Sequence, residues 1–171
     1  MSQVLLQVEG LTKRFGGLTA VRDVSFAVRC GEIVGIIGPN GAGKTTVFNL
    51  ISGLLRPDSG RIVLQGRDLA GLRPHEVARM GIGRTFQIVR PFLDMTVLEN
   101  AMVAAFSRMP SPAGAGALAE EALSRVGLLH RAGARAGILT LAERKRLEMA
   151  RALAGQPELL LLDEVLAGLN P

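Results

Sequence analysis

Residues 38–46, Gly-Pro-Asn-Gly-Ala-Gly-Lys-Thr-Thr, sit between an apolar run at 33–37 (Ile-Val-Gly-Ile-Ile) and an amphipathic run at 47–55. No other stretch constrains the fold as much. The apolar run, from Glu32 to Ile37, reads as a buried strand, and the spacing from Thr45 to Leu55 reads as a helix. The glycine-rich segment between must turn one into the other. Gly38, Gly41 and Gly43 let the chain wrap with its N–H groups pointing inward, a concave nest of donors at a helix N-terminus, where aligned peptide dipoles favour negative charge. Gly38-x-x-x-x-Gly43-Lys44-Thr45 is the P-loop pattern in the strand–loop–helix context that the pattern requires. Gly38, Pro39, Asn40, Gly41, Ala42, Gly43, Lys44, Thr45 and Thr46 are therefore the candidate polyphosphate cradle. Lys44 is placed to reach the β- and γ-phosphates, and the Thr45 hydroxyl to ligate Mg²⁺. A tight connection with no ligand is the plainer alternative, but it leaves the Lys-Thr pair unexplained.

The rest of the chain reads as an alternation of strands and helices. Short strands are expected at 4–8, 24–28 and 61–66, with a turn at Pro57-Asp58-Ser59-Gly60. A helix at 73–80, a strand at 82–86 and a loop through Pro91 follow. Thr96 with Glu99, and Thr140 with Glu143, give the capping-box pattern at the starts of helices running to about 107 and 154. The stretch Ser-Pro-Ala-Gly-Ala-Gly at 111–116 reads as a flexible break before a helix at 118–126. The last element is an apolar strand at 158–164. This is an α/β pattern, and 171 residues with 48% hydrophobic content suffice for one domain with an aliphatic core.

Composition excludes several classes. No stretch approaches the roughly 18–20 apolar residues needed to cross a bilayer, and the first ten residues lack the basic and apolar regions of a secretory signal, so a cytoplasmic chain is expected. The net charge is +5, but the basic residues are scattered, densest at 131–137 and 143–146, with no nucleic-acid-binding block. They read as a solvated face, or one beside anionic lipid or polyphosphate. The single cysteine, Cys30, cannot form an internal disulfide and is expected to be a packing residue.

A second candidate site lies far along the chain. Leu159 to Leu162 lead into Asp163 and Glu164, so a parallel sheet would present two carboxylates at its C-terminal edge. Asp163 suits a Mg²⁺ shell, and Glu164 suits a base that polarises attacking water.

These landmarks, with others in the same order, resemble the ATP-binding subunits of ABC transporters. Phe15, in LTKRFGG, matches the aromatic that stacks on adenine. Gln87, in GRTFQ, matches the glutamine that touches Mg²⁺ or the attacking water and marks where the transmembrane partner docks. Residues 139–153, LTLAERKRLEMARAL, align with the signature LSGGQ and its helix, with Thr140 for the serine and Glu143 for the glutamine, while Leu141 and Ala142 replace the two glycines. In the family this segment covers the γ-phosphate held by the other subunit. Loss of the glycines restricts backbone approach, and Glu143 brings a negative charge unless it turns back to cap its helix. Residues 167–170, AGLN, correspond to the D-loop, with Asn170 where aspartate is common. GRTFQIVRPFLDMTVLENAMVA together with the signature segment looks most like the ATPases of branched-chain amino-acid importers.

The resemblance implies a P-loop NTPase fold with a RecA-like core sheet, an N-terminal antiparallel β-subdomain and a small helical subdomain. It places the core with its β-subdomain at 1–87 and 155–171, and the helical part with the signature at 88–154. It implies ATP and Mg²⁺ as cofactors, catalytic roles for Gln87 and Glu164, and Thr45, Gln87 and Asp163 at the metal. The implied partners are membrane-spanning permease subunits, a second ATP-binding subunit and, indirectly, a substrate-binding protein outside the membrane; the location is the inner face of the cell membrane. Two ATP molecules would be clamped between the P-loop of one subunit and the signature of the other, and hydrolysis would open the clamp and drive alternating access. The family continues past the D-loop to a switch histidine, and neither His75 nor His130 can take that place because both precede Asp163. A truncation at Pro171, with weak nucleotide binding and poor hydrolysis, is therefore expected. Two other readings stay open: a soluble ABC-type ATPase not coupled to a permease, and an inert remnant. A small P-loop kinase would share only residues 38–45 and would need an acceptor site and lid.

Overall fold

A computed structural model describes residues 3–85 and 90–163. The chain divides into two compact units, residues 1–80 and 81–171.

The first unit is built on an antiparallel hairpin. Strands β1 (Val4–Phe15) and β2 (Leu18–Arg29) each run twelve residues, much longer than the expected 4–8 and 24–28. The difference has a local cause. Gly10 and Asp23 adopt positive φ, and the β1–β2 register shifts between Val8 and Leu11, so the period-two alternation that marks a strand is interrupted while the pairing continues. Strand β3 (Ser59–Leu64) pairs antiparallel with β1, and β4 (Arg67–Asp68) with β3, giving the order β2-β1-β3-β4. Leu6, Val8, Leu11, Ile62 and Leu64 fill the core of this sheet. Two helices complete the unit: α1 (Lys44–Ile51), which buries Val47, Leu50 and Ile51, and α2 (Pro74–Arg79), which buries Val77 and carries His75 on its exposed side.

Two expectations fail in this unit. Residues 32–37 form no strand: they have no ladder partner among the described residues, and Ile33 and Ile37 are 98% and 97% exposed. An apolar run is buried as a strand only where neighbours pair with both its edges and cover its faces, and no described strand does so. Cys30 is exposed rather than packed, because β2 ends at Arg29 and Gly31, at φ +76°, turns the chain away from the sheet.

In the second unit β5 (Ile82–Arg84) pairs in parallel with β6 (Leu159–Leu161). Three helices pack on one another: α3 (Val97–Ala105), α4 (Pro112–Arg125) and α5 (Leu141–Ala154). Ala101, Ala105, Ala115, Ala119, Ala122 and Ala150 line their seams, with Leu123, Leu128 and Leu147 as the larger core residues. The expected break at 111–116 is instead the start of α4. The Ser111 hydroxyl accepts the Gly114 N–H at 3.2 Å and Pro112 takes the first helical position, a favourable N-terminus. The small residues that suggested a linker are the ones that allow close helix packing. His130 lies in a single 3₁₀ turn, Leu129–Arg131.

Candidate functional site

The loop at 38–43 leads directly into α1. Gly41 and Gly43 take φ of +82° and +87°, in the region that L-residues avoid. A Cβ on Gly43 would stand 2.2 Å from the Ala20 carbonyl oxygen, so only glycine lets the loop lie against the hairpin there. Ala42 N–H donates to the Pro39 carbonyl at 3.2 Å, closing the turn, and Val47 N–H donates to the Gly43 carbonyl at 2.9 Å, the first bond of the helix. Lys44 bends back across the loop, its ammonium donating to the Gly38 and Pro39 carbonyls at 2.7 and 2.9 Å.

The entry to α1 differs from those of α3, α4 and α5. Those helices are each capped by a Thr or Ser hydroxyl, whereas no side chain caps α1 and no acidic residue lies in its first turn. First-turn N–H groups have no acceptor within a helix, so this end carries open donors and the positive pole of the helix, with an ammonium beside it and the Thr45 hydroxyl exposed. A cavity of about 330 Å³ adjoins the loop, lined by Ala20, Val21, Arg22, Gly43, Lys44 and Val47 among others. Phe15, at the end of β1, is 45% exposed with the Lys13 ammonium 5.7 Å from its ring centre, so the ring is not spent on the core. The cradle therefore fits an anionic, polyphosphate-bearing ligand by glycine geometry, open donors and charge.

The second unit holds the other described candidates. Asp163 follows β6, its side chain 7% exposed, with Oδ2 3.4 Å from Nη2 of Arg84, itself 6% exposed. Burial pulls the Arg84 guanidinium below its usual value, and Asp163 pulls it back up. Sequence reasoning assigned nothing to Arg84; a cation closing a short apolar strand was the available signal. Gln87, Glu164 and the residues at 167–170 lie outside the described residues. Among the described residues no group of three or more His, Cys, Asp or Glu converges. Within the first unit, the exposed Thr45 at the start of α1 offers a single oxygen donor beside the loop, which suits a hard cation that is held mainly by phosphates, as Mg²⁺ usually is.

The signature candidates are engaged with each other. The Glu143 carboxylate accepts from Thr140 N–H at 2.8 Å and from the Thr140 hydroxyl at 2.9 Å, while Glu143 N–H donates to Thr140 Oγ1 at 3.2 Å. Arg131 lies 3.2 Å from the other carboxylate oxygen. The Thr140 backbone N–H and hydroxyl hold the Glu143 carboxyl below the usual carboxylate range, with smaller help from Arg131 and His130. The start of α5 thus carries its own anion. Leu141 beside it is 66% exposed, and Ala142 is exposed too. Another residue outside the sequence reading is Asn100, fully buried, whose amide binds both backbone groups of Phe92 and the Thr96 carbonyl and so fixes the loop at 92–96.

Residues 21–167 match the model of the ABC transporter family. The high-affinity branched-chain amino acid transport ATP-binding protein LivG of Salmonella typhimurium is 48% identical, over 100% of this chain and 73% of the relative; LivG of Escherichia coli K12 is 46% identical over the same shares. The lipopolysaccharide export system ATP-binding protein LptB of Acidithiobacillus ferridurans is 43% identical over 98% of this chain and 69% of its own. Among solved structures, the ADP conformation of MJ1267, an ATP-binding cassette of an ABC transporter, superposes with a TM-score of 0.86 at 34% identity, covering 99% of this chain and 72% of that one. The dimeric structure of MJ0796, a bacterial ABC transporter cassette, gives 0.86 at 27% identity, covering 97% and 76%.

Proposed function

We propose, from the premise that this chain belongs to the ABC transporter family, that it is the ATP-binding and ATP-hydrolysing subunit of an importer of branched-chain amino acids. The observation that carries the ATP assignment is the uncapped start of α1 with Lys44 and three glycines around it. The amino-acid assignment is carried by the LivG relatives.

The roles follow from the chemistry of each residue. Backbone N–H groups of 38–46 hold the phosphates, and Lys44 leaves its two carbonyl partners to reach them. Thr45 and Asp163 supply oxygens for Mg²⁺, which when bound offsets phosphate charge. Phe15 stacks on adenine. Gln87 orients the attacking water and Glu164 polarises it. The partners are permease subunits and a second ATP-binding subunit, with a substrate-binding protein reached through the permease. The place of work is the inner face of the membrane, which no helix among the described residues is long and apolar enough to cross. The core with its β-subdomain comprises 1–87 and 155–171, and 88–154 is the helical part.

Calorimetric titration of ATP into the chain and into Lys44→Ala tests the cradle. The parent binds and the variant loses affinity by roughly a hundredfold, the value of one strong charge-assisted contact; equal affinities would remove Lys44 from the site. The cargo is tested by uptake of labelled leucine in cells lacking their own LivG, where failure of a fully expressed chain to restore uptake counts against the amino-acid reading and leaves ATP binding untouched.

A further inference from the structure

The outer end of the β1–β2 hairpin carries an apolar pair that the core does not use. Phe15 and Leu18 are partners across the two-residue turn Gly16-Gly17, and they are 45% and 68% exposed. So short a turn fixes the register of the closing pair, and directly paired residues of antiparallel strands put their side chains on one face, with Cβ atoms about 5 Å apart. The two therefore make one apolar surface, a phenyl ring beside an isobutyl group. The Lys13 ammonium, 5.7 Å from the ring centre and bonded to Asp58 Oδ1 at 2.9 Å, steadies the ring.

The same face of the hairpin meets the phosphate loop, within the first unit. The register shift between Lys13 and Arg14 adds its extra residue, Ala20, to β2, so the alternation along β1 is kept and Lys13 shares a face with Phe15. Lys13 pairs with Val21, and Val21 Cγ2 lies 3.4 Å from where a Cβ on Gly43 would stand. Gly43 thus rests on the face that carries Phe15 and Leu18. It rests near their end of the hairpin, because Ala20, whose carbonyl it abuts, is two residues from Leu18, a rise of about 7 Å. A nucleotide with its phosphates in the loop has its ribose to span that interval and its base to lay on the pair.

We propose that Leu18 is a specificity-determining residue of the nucleotide site, extending the Phe15 platform so that a two-ring purine base is preferred to a one-ring pyrimidine. This rests on the reading of residues 38–46 and Phe15 as an ATP site. A pyrimidine is covered by one phenyl ring. A purine carries a second fused ring, which stays against water unless a neighbour of the phenyl covers it, and Leu18 is that neighbour. The loop and Lys44 take no part in the choice, since every nucleoside triphosphate brings the same phosphates.

The test is calorimetric titration of ATP, CTP and inorganic tripolyphosphate into the full chain and its Leu18→Thr, Leu18→Met and Phe15→Ala variants, with a thermal melt of each. All four bind tripolyphosphate alike, and the parent prefers ATP to CTP. Leu18→Thr, which suits an exposed strand position but lacks the apolar reach, loses about tenfold for ATP, the value of one apolar side chain covered, and less for CTP, so the preference falls. Leu18→Met keeps the reach and the preference, and Phe15→Ala weakens both nucleotides. Should Leu18→Thr fail to fold, Leu18→Ala carries the result. An ATP-to-CTP ratio unchanged in Leu18→Thr would make Leu18 an ordinary surface residue and overturn the proposal, as would an equal fall for all three ligands, the mark of a disturbed hairpin. Undiminished nucleotide binding in Phe15→Ala would overturn it at its premise, by removing the base from this face, and a parent that binds none of the three would overturn the nucleotide reading itself.

Discussion

At the scale of single residues, the P-loop depends on what is missing from a side chain as much as on what is present. Gly43 combines a φ of +87° with a Cβ position 2.2 Å from the Ala20 carbonyl oxygen. Gly43→Ala therefore meets two penalties. The left-handed conformation alone costs about 1–2 kcal/mol, and the overlap with backbone must be relieved by moving either the loop or the hairpin. Urea unfolding should show at least that loss, and ATP affinity should fall with it because the donors on either side of the glycine are displaced. A variant of unchanged stability would show that the loop re-forms without the αL residue. Gly41 serves as the comparison: it shares the positive φ, but a Cβ there meets nothing within 4 Å, so Gly41→Ala should show the conformational penalty without the overlap.

At the scale of elements, helix starts separate structural ends from an open one. α3 and α5 begin with Thr-x-x-Glu boxes whose carboxylates, Glu99 and Glu143, are held below their usual range chiefly by the backbone N–H and hydroxyl of Thr96 and Thr140. A carboxylate whose folded pKa is depressed contributes stability above its unfolded value, near 4.5, and loses it as pH falls through the folded value. The melting temperature of the chain should therefore drop on acidification below about pH 4.5. Glu99→Gln with Glu143→Gln should lessen that drop without abolishing it, because Glu76 beside Arg73 and Asp58 beside Lys13 are also held below their usual range; a drop unchanged in the double variant would sink the assignment. Thr96→Ala and Thr140→Ala should each cost roughly 0.5–2 kcal/mol at neutral pH. These boxes were legible in the sequence because a cap is written in four adjacent residues; the P-loop is legible for the same reason. What could not be read depended on distant partners or on bulges. The full β1–β2 hairpin is hidden by positive φ at Gly10 and Asp23. The start of α4 at Pro112 is hidden because glycine and alanine signal flexibility until another helix packs on them. Arg84 meeting Asp163, 79 residues away in sequence, needed a parallel register between β5 and β6.

At the scale of the whole molecule, the issue is what α5 offers to a second ATP-binding subunit. A related cassette has been solved as a dimer, at 27% identity and a TM-score of 0.86. If the signature segment of one subunit is to cover the phosphates held by another, the start of α5 must accept an anion closely. Here that end already holds the Glu143 carboxylate, bonded twice to Thr140 and placed 3.2 Å from Arg131, with the exposed side chain of Leu141 where the LSGGQ pattern would put glycine. A second anion would meet like charge and a Cβ-bearing backbone, so this subunit should close weakly on a copy of itself and more firmly on a partner whose signature keeps both glycines. Light scattering of the chain with a slowly hydrolysed ATP analogue checks this. The parent should stay monomeric, while the triple variant Leu141→Gly, Ala142→Gly, Glu143→Gln should associate, even though each glycine weakens α5 by up to about 1 kcal/mol. Nucleotide binding to the monomer, followed separately, should be the same in both, because the cradle at 38–46 is unaltered. Analogue-dependent dimers of equal stability in parent and variant would mean that Glu143 swings out of its cap when a phosphate approaches, and that the replaced signature is still competent.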